Sequence, residues 1–289
     1  MFQIIGIVLL FGLVFGSFII SGGNMGVILH AAPTELMAIG GAGAASFLIS
    51  NSMTVIKGTG GGLGKVFKGP KWKPQDYRDL LSLLFLLTKT MKSKGVIALE
   101  SHIENPTEST IFSRFPNVMK DHFAVDFICD TLRMMTMNLE DPHQVEDAME
   151  KQLEKHHHEA LSPSHALQSL ADALPALGIV AAVLGVIKTM GAITEPPEIL
   201  GEMIGGALVG TFLGVFLAYG MVGPMATRMK EVTEEEGSFY KIIQSVLVAH
   251  LHGNAAQISV EIGRGNVPSG AQPSFLELEE ALSAIPNEG

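Results

Sequence analysis

Four stretches of the chain are apolar and uncharged, and each approaches the length of a membrane-crossing helix. A bilayer core of ~30 Å requires ~20 residues at 1.5 Å per residue. Glu35 is the first charged residue and Lys57 is the second, so these two side chains bound the first two stretches. The pattern predicts four transmembrane helices, at residues 4–20, 36–56, 173–187 and 203–227.

The polar segment between the second and third stretches has a helical pattern. It opens with a glycine- and lysine-rich linker, KGTGGGLGKVFKGPKWKP, and apolar residues then recur every three or four positions in residues 77–91, 117–137 and 141–158. The linker is not a phosphate-binding loop, because the first glycine of that motif would fall on Thr59 and its hydroxyl position on Val66. No alternating pattern of strands persists, so the predicted class is all-α.

Charge gives the orientation of these helices. The mean hydropathy of +0.34 and the 17% of charged residues exclude an ordinary soluble protein. Basic residues are absent before Lys57 and collect in residues 57–155 and 228–264, which are separated by an even number of spans. The positive-inside rule therefore places both termini in the cytoplasm and residues 21–33 and 192–200 outside. The predicted regions are 1–56 (two spans), 57–169 (cytoplasmic helical domain), 170–227 (two spans) and 228–289 (cytoplasmic segment).

Cysteine content and the N-terminal composition agree with this arrangement. Cys129 is the single cysteine, so the polar segment has no internal disulfide and suits a reducing cytoplasm. The N-terminal apolar run has no basic residue before it and no evident cleavage pattern after it. We therefore expect it to be a retained first span.

Small residues recur in the last three predicted spans. The fourth contains Gly206, Gly210 and Gly214 at four-residue spacing, the third contains Gly178, Ala182 and Gly185, and the second contains GGAGAA. In lipid, such residues let helix backbones approach closely. A single row is common in membrane helices, but three rows together favour a densely packed multi-helix assembly.

The predicted spans contain few polar groups. As bounded above, none contains an ionisable residue in its interior, although ion carriers usually place one there. The chain therefore either moves no ions or surrounds a carboxylate that a partner provides. Thr211 is the one hydroxyl deep in the last two spans, and Pro175 and Pro224 lie near their predicted cytoplasmic ends, where each removes a backbone hydrogen bond.

Several segments resemble the MotA stator family. LPALGIVAAVLGVIKTMG and GGALVGTFLGVFLAYGMVGPMAT are similar to its paired pore helices, and SGGNMG, IENPTES, VDFICDTLRMM and PSFLELEEA match further along the chain. The likeness extends from the first span to about Ala281. ExbB and TolQ proteins share the pore-helix pair but have three spans, so they are the alternative family.

The resemblance implies a specific assembly and function. It implies a pentamer in the inner membrane around a dimer of MotB, a single-span partner whose aspartate carries the ion, and torque on the rotor protein FliG. The family's rotor-facing charges fall on Lys92 and Glu100, its paired prolines on Pro175 and Pro224, and its pore threonine on Thr211. It implies neither enzymatic activity, nor a cofactor, nor nucleic-acid binding.

The coupling ion is predicted from the same resemblance. Sodium-driven relatives of the PomA type carry a third-span hydroxyl opposite the threonine, and here that position is Ala182. Because Na⁺ needs several oxygen ligands, we expect proton coupling, with sodium as the alternative. The cluster His156, His157 and His158 is a weak metal candidate because HHEALS lacks the HExxH spacing. The competing function classes are an enzyme and a passive scaffold. Against an enzyme, we find no nucleophile paired with a base.

Overall fold

The computed structural model describes residues 2–137, 139 and 141–285, and this part of the chain is helical without strands. The all-α prediction is confirmed. Two short 3₁₀ helices, Val96–Leu99 and Phe112–Arg114, and one π-helical stretch, Ala218–Val222, accompany the α-helices. These are α1 (Phe2–Ile20), α2 (Met25–Ser50), α3 (Met53–Lys68), α4 (Pro74–Lys94), α5 (Glu100–Glu104), α6 (Pro116–Met119), α7 (His122–Thr136), α8 (Pro142–Gly191), α9 (Pro197–Leu217), α10 (Gly223–Leu251), α11 (Ala256–Arg264) and α12 (Phe275–Ser283).

The described residues form two compact units. The first, the membrane unit, consists of the residues up to Gly69 together with Leu161–Val232, and the second, the polar unit, consists of Pro70–Ala160 together with the residues from Thr233 onward. Four helices are long and apolar enough to cross a bilayer, namely Phe2–Ile20, Met25–Ser50, Pro142–Gly191 and the continuous Pro197–Leu251. The prediction of four spans is confirmed.

The second span lies earlier in the chain than the sequence pattern predicted. Asn24 caps α2 by accepting a hydrogen bond from the Gly26 N–H at 2.8 Å, so most of the predicted outside loop 21–33 is helical. The helix ends at Ser50, and therefore the predicted span 36–56 is also wrong at its far end. The cause is Glu35, which we took as a boundary although it lies inside the helix.

The predicted glycine- and lysine-rich linker is also wrong, because most of it forms α3. Ser52 caps this helix by accepting from the Val55 N–H. Gly62 packs against the side chain of Met229, and Val66 is buried with Leu167 and Ala226. Tertiary packing thus overrides the low helix propensity of glycine, and residues 57–69 join the membrane unit rather than the polar unit where we had grouped them.

The third and fourth spans belong to helices much longer than a bilayer requires. Helix α8 has 50 residues and joins the predicted helix 141–158 to the third apolar run without a break, with Pro163 and Pro175 inside it. Helix α9 begins at Pro197, which leaves the predicted outside loop 192–200 shorter by four residues. Proline is well tolerated there, since the first helical N–H has no intrahelical partner.

The core of the polar unit is built around α4, whose leucines at positions 80, 81, 83, 84 and 87 are all fully buried. Helix α7 contributes Cys129, and burial raises the pKa of that thiol to about 12. The predicted helix 117–137 is divided, because Asp121 ends the first part and caps α7 through the Ala124 N–H at 2.8 Å. Trp72 stacks on Phe239 with ring centroids 3.7 Å apart.

Candidate functional site

Helices α8 and α9 touch through their backbones in the membrane unit. A Cβ placed on Gly214 would lie 2.7 Å from the carbonyl oxygen of Leu174 and 2.9 Å from the Cα of Gly178. A Cβ placed on Gly178 would lie 2.9 Å from the carbonyl oxygen of Gly210. Real Cβ atoms do not come so close to backbone atoms, so both positions require glycine. The predicted close packing of the small residues is therefore confirmed for this helix pair.

Thr211 lies at this contact. The same Cβ on Gly178 would be 3.4 Å from the Cα of Thr211, and the Thr211 side chain is half-buried. Ala182 is also half-buried and lies one turn beyond Gly178 on α8. Both residues thus lie on the pair of helices that the sequence identified, while their roles in an ion pathway stay predictions.

Glu35 is a polar residue of this region that sequence reasoning missed. It lies well inside the candidate span Met25–Ser50, which corrects the expectation that no span has an ionisable interior residue. Its Oε2 atom is buried and has no hydrogen-bond partner among the described residues. A Cβ on Gly210 would collide with this oxygen and approach the Cβ of Ala181, so the carboxylate packs directly against α9 beside Thr211. The apolar segment VILHAA before it was the available signal.

Pro175 and Pro224 lie at neighbouring irregular points. Pro224 follows the π-helical stretch Ala218–Val222, in which the N–H of Gly223 donates to the carbonyl of Ala218, five residues earlier. Pro175 has no N–H for the carbonyl of Ala171. A Cβ on Gly223 would lie 3.9 Å from the Cβ of Ala171, so the turn before Pro175 lies near the residue before Pro224. The structure therefore brings the two prolines' helical irregularities together.

An open cavity lies beside Pro224. Its volume is about 440 Å³, and its lining includes Gln168, Tyr219, Arg228 and Glu231. Arg228 Nη1 donates to Glu231 Oε2 at 3.2 Å, while Arg228 Nε is buried without a partner among the described residues. Water and charged groups thus have room next to the irregular helix segment.

Lys92 and Glu100 are both exposed in the polar unit. Lys92 is in the last turn of α4 and donates from Nζ to the carbonyl oxygen of Gly253 at 3.3 Å. Gly95, with φ of +82°, ends α4, and one 3₁₀ helix separates it from Glu100, the first residue of α5. His250 lies near Lys92, and its pKa is lowered by burial and by the charge of that lysine. The two predicted rotor-facing charges thus lie on either side of Gly95 and the 3₁₀ helix Val96–Leu99.

The histidine cluster has structural contacts. His156 stacks on Phe123 with ring centroids 3.6 Å apart, and His157 packs beside Gly237. Among the described residues, no group of three or more histidine, cysteine or acidic side chains is arranged to hold a metal ion. These contacts favour a packing role for the histidine cluster.

Comparisons with known proteins agree with the arrangement of these helices. Residues 4–95 match the Motility protein A N-terminal family, and residues 119–241 match the MotA/TolQ/ExbB proton channel family. Motility protein A of Escherichia coli K12 is 39% identical over 99% of this chain and 97% of that protein. The chain belongs to the motility protein A family. The match to the Motility protein A N-terminal family also favours it over the ExbB and TolQ alternative.

Solved structures show the same fold. The MotAB structure from C. jejuni superposes with a TM-score of 0.71 at 20% identity and covers 92% of this chain and 95% of that one. The flagellar MotAB stator complex from Bacillus subtilis gives a TM-score of 0.66 at 20% identity and covers 89% and 92%. Motility protein A family membership makes the chain an inner-membrane, non-enzymatic proton-channel subunit of the flagellar stator.

Proposed function

We propose that this chain assembles with a MotB-type, single-span partner and converts an ion gradient into torque on the rotor protein FliG. In this proposal five copies surround a dimer of the partner, and both termini and the polar unit lie in the cytoplasm. The partner supplies the aspartate that carries the ion. Solved relatives are complexes of MotA with MotB, which supports the choice of partner.

The observation that carries the proposal is the backbone contact between α8 and α9. Glycine-to-glycine packing brings the two helix backbones together, with Leu174 and Leu213 buried beside it, and Thr211 is the hydroxyl at that contact. A carboxylate of the partner helix facing this pair would meet a largely apolar wall with the Thr211 hydroxyl, beside which the Glu35 carboxylate lies. Such a wall suits a carboxylate that is neutral in one step and charged in the next.

The irregular segment at Pro175 and Pro224 is the element that would move. A π-helical stretch and two missing backbone donors reduce the number of hydrogen bonds that hold the helices straight. Because Ala171 lies near Gly223, a bend at one proline would affect the other helix. Helices α8 and α10 both continue from the membrane unit into the polar unit, so a change at these prolines would be transmitted along them.

The proposed coupling ion is the proton. Ala182 offers no side-chain oxygen, so Thr211 supplies the one side-chain hydroxyl at this contact, whereas Na⁺ must be coordinated by several oxygens. Glu35 adds a carboxylate beside Gly210, and a protonatable group also suits proton conduction. Each proton that crosses a potential of 100 mV releases ~2.3 kcal/mol, so nucleotide hydrolysis is not needed.

The proposal is tested in a stator-deficient bacterium that expresses this chain with its MotB-type partner. We expect swimming to be restored and its speed to be constant at fixed membrane potential while external sodium is varied. A partner variant without the membrane aspartate is the control and should abolish swimming. A speed that follows sodium would overturn the proton assignment, and a failure to swim with the intact partner would contradict the proposed function.

A further inference from the structure

The outward face of α3 carries lysines and glycines but no acidic side chain. Lys57, Lys65 and Lys68 are all exposed, and their spacing places them on one side of the helix. The chain has no aspartate or glutamate between Glu35 and Asp76. This face therefore presents three ammonium groups along a helix that adds no negative side chain of its own.

Three glycines between these lysines face open space. A Cβ placed on Gly60, Gly61 or Gly64 would meet nothing within 4 Å among the described residues, whereas a Cβ on Gly62 would lie 2.7 Å from the Met229 side chain. Packing within the chain thus explains Gly62 but not the other three, although each glycine lowers helix stability. Their bare backbone allows another molecule to approach the helix closely between the lysines.

The contacts of α3 indicate its depth in the membrane unit. Val66 is buried with Leu167 and Ala226, and Ala226 lies in the last turn of the fourth apolar run. Leu167 precedes Asp172, the charged end of the third apolar run, by ~7.5 Å at 1.5 Å per residue. The headgroup layer is roughly 5–8 Å deep on each side of the hydrocarbon core. Helix α3, which begins directly after the second span ends, therefore lies at the level of the lipid headgroups.

The helix dipole explains only part of this pattern. Lys65 and Lys68 are in the last turn of α3, where cations stabilise the negative end of the dipole. That effect does not account for Lys57, which lies near the opposite end of the helix. It also does not account for Met53 and Phe67, two apolar side chains that are exposed on the same helix. Exposed lysines and apolar side chains together are typical of a helix that rests on a bilayer surface.

We propose that the outward face of α3 binds the phosphate groups of anionic phospholipids in the adjoining leaflet. The open backbone at Gly61 lets a headgroup reach Lys57 on one side and Lys65 on the other. A zwitterionic headgroup carries its own cation beside the phosphate, so the lysines should select anionic lipids. The inference goes beyond the proposed function, because it involves neither the rotor protein nor the coupling ion.

The test uses the full-length chain with its MotB-type partner, reconstituted in vesicles of equal amounts of phosphatidylglycerol and phosphatidylcholine. A photoreactive amino acid at position 61 captures neighbouring lipids, and mass spectrometry measures the ratio of the two. We expect phosphatidylglycerol to exceed phosphatidylcholine. Lys68→Gln should lower this ratio about fivefold, the factor that corresponds to ~1 kcal/mol per basic residue at an anionic surface. The matched control is Lys94→Gln, at an exposed lysine of the polar unit, and it should leave the ratio unchanged.

Gly64 offers a second comparison, between two variants at one position. A Cβ at Gly64 meets nothing within 4 Å, and both alanine and glutamate have a higher helix propensity than glycine, so both variants should fold. Gly64→Ala should keep the ratio of the unmodified chain. Gly64→Glu should lower it at least as much as Lys68→Gln does, because it places a negative charge among the lysines.

Several results would overturn the inference. They are equal capture of the two lipids by the unmodified chain, capture of a second copy of this chain instead of lipid, an equal loss in Lys68→Gln and Lys94→Gln, and an equal loss in the two Gly64 variants. A chain that selects phosphatidylglycerol but does not restore swimming in stator-deficient cells would contradict only the proposed function.

Discussion

Thr211 is the side chain of the α8–α9 pair whose hydroxyl can be kept or removed by small substitutions, to serine or to alanine. It is half-buried next to the Gly178 contact, and its neighbour Gly210 packs against Glu35. A hydroxyl here could bond to the partner carboxylate or to its own helix backbone, as threonine often does in membrane helices. Substitution distinguishes the two roles.

We expect Thr211→Ala to lower torque and Thr211→Ser to preserve most of it, because serine keeps the hydroxyl. The measurement is swimming speed under viscous load, with the amount of assembled complex determined in parallel. If alanine supports torque as well as serine does, the hydroxyl bonds only to its own helix.

Asp121 makes the stability of the polar unit sensitive to acid. It accepts hydrogen bonds from Lys71 Nζ at 2.8 Å, the Ala124 N–H at 2.8 Å and the Tyr240 hydroxyl at 3.1 Å. Burial alone would raise the pKa of Asp121, but these hydrogen bonds outweigh it and lower the pKa below its usual 3.8. The carboxylate thus stabilises the fold above the unfolded pKa, and this contribution is lost as pH falls through the folded pKa.

We expect Asp121→Asn to cost ~1–3 kcal/mol at neutral pH, and the difference from the wild type to shrink as pH approaches 3. Thermal unfolding of the full-length protein in detergent at several pH values measures this. Asp126→Asn, at an exposed position of the same helix, is the control and should change little. A difference that stays constant down to acid pH would contradict the assignment.

At the scale of helices, apolar length and periodicity predicted α1, α4 and the apolar parts of α8 and α9 well. They failed where a charge or several glycines lie inside a helix. Because we took Glu35 as a boundary, the predicted start of α2 was too late. The glycines of α3 suggested a linker, but the segment is a helix in which Gly62 allows close packing against Met229. Pro224 was the sequence signal for an irregular point, because it has no N–H for the carbonyl of Gly220, but the pattern did not show that the turn before it is π-helical.

The α8–α9 contact predicts a strong difference between two glycines of one helix. Gly214→Ala places a Cβ 2.7 Å from the Leu174 carbonyl oxygen, whereas Gly201→Ala meets nothing within 4 Å. We expect the first to cost ~1–3 kcal/mol, since the helices must separate, and the second to be neutral or slightly stabilising. The yield and melting temperature of the purified complex measure this. Equal values for the two variants would contradict backbone contact.

The irregular segment makes a separate prediction about motion. Pro224→Ala restores an N–H that can bond to the carbonyl of Gly220 and should convert the π-helical stretch to regular helix. We expect normal assembly but slower swimming under load, and the same direction for Pro175→Ala. Pro33→Ala, an exposed proline inside α2, is the control. If Pro224→Ala and Pro175→Ala both swim at normal speed under viscous load, the proposal that this segment moves is contradicted.

At the scale of the whole molecule, the proposed rotor coupling would depend on the exposed charges of the polar unit. We expect Lys92→Glu and Glu100→Lys each to reduce torque while leaving assembly with the partner intact, because both side chains are exposed. Bead-assay torque and copurification of the partner separate the two effects. A double reversal that swims like the wild type with an unchanged rotor would contradict the assignment.

The candidate sites were predicted unevenly. The apolar spans themselves pointed to Thr211 and the two prolines, and the family resemblance gave them expected roles and added Lys92 and Glu100. The resemblance did not supply Glu35, whose packing depends on Gly210 in a distant helix. Contacts between such separated residues become visible only in three dimensions.

Cys129 has a practical consequence for labelling experiments. Maleimides and most fluorophore reagents react with the thiolate, and a thiol with a pKa of about 12 in a buried position provides almost none near neutral pH. Since the chain has a single native cysteine, a new cysteine on its surface would be the only reactive one. Distances and rotation could then be followed by fluorescence on an otherwise natural chain, without the removal of Cys129.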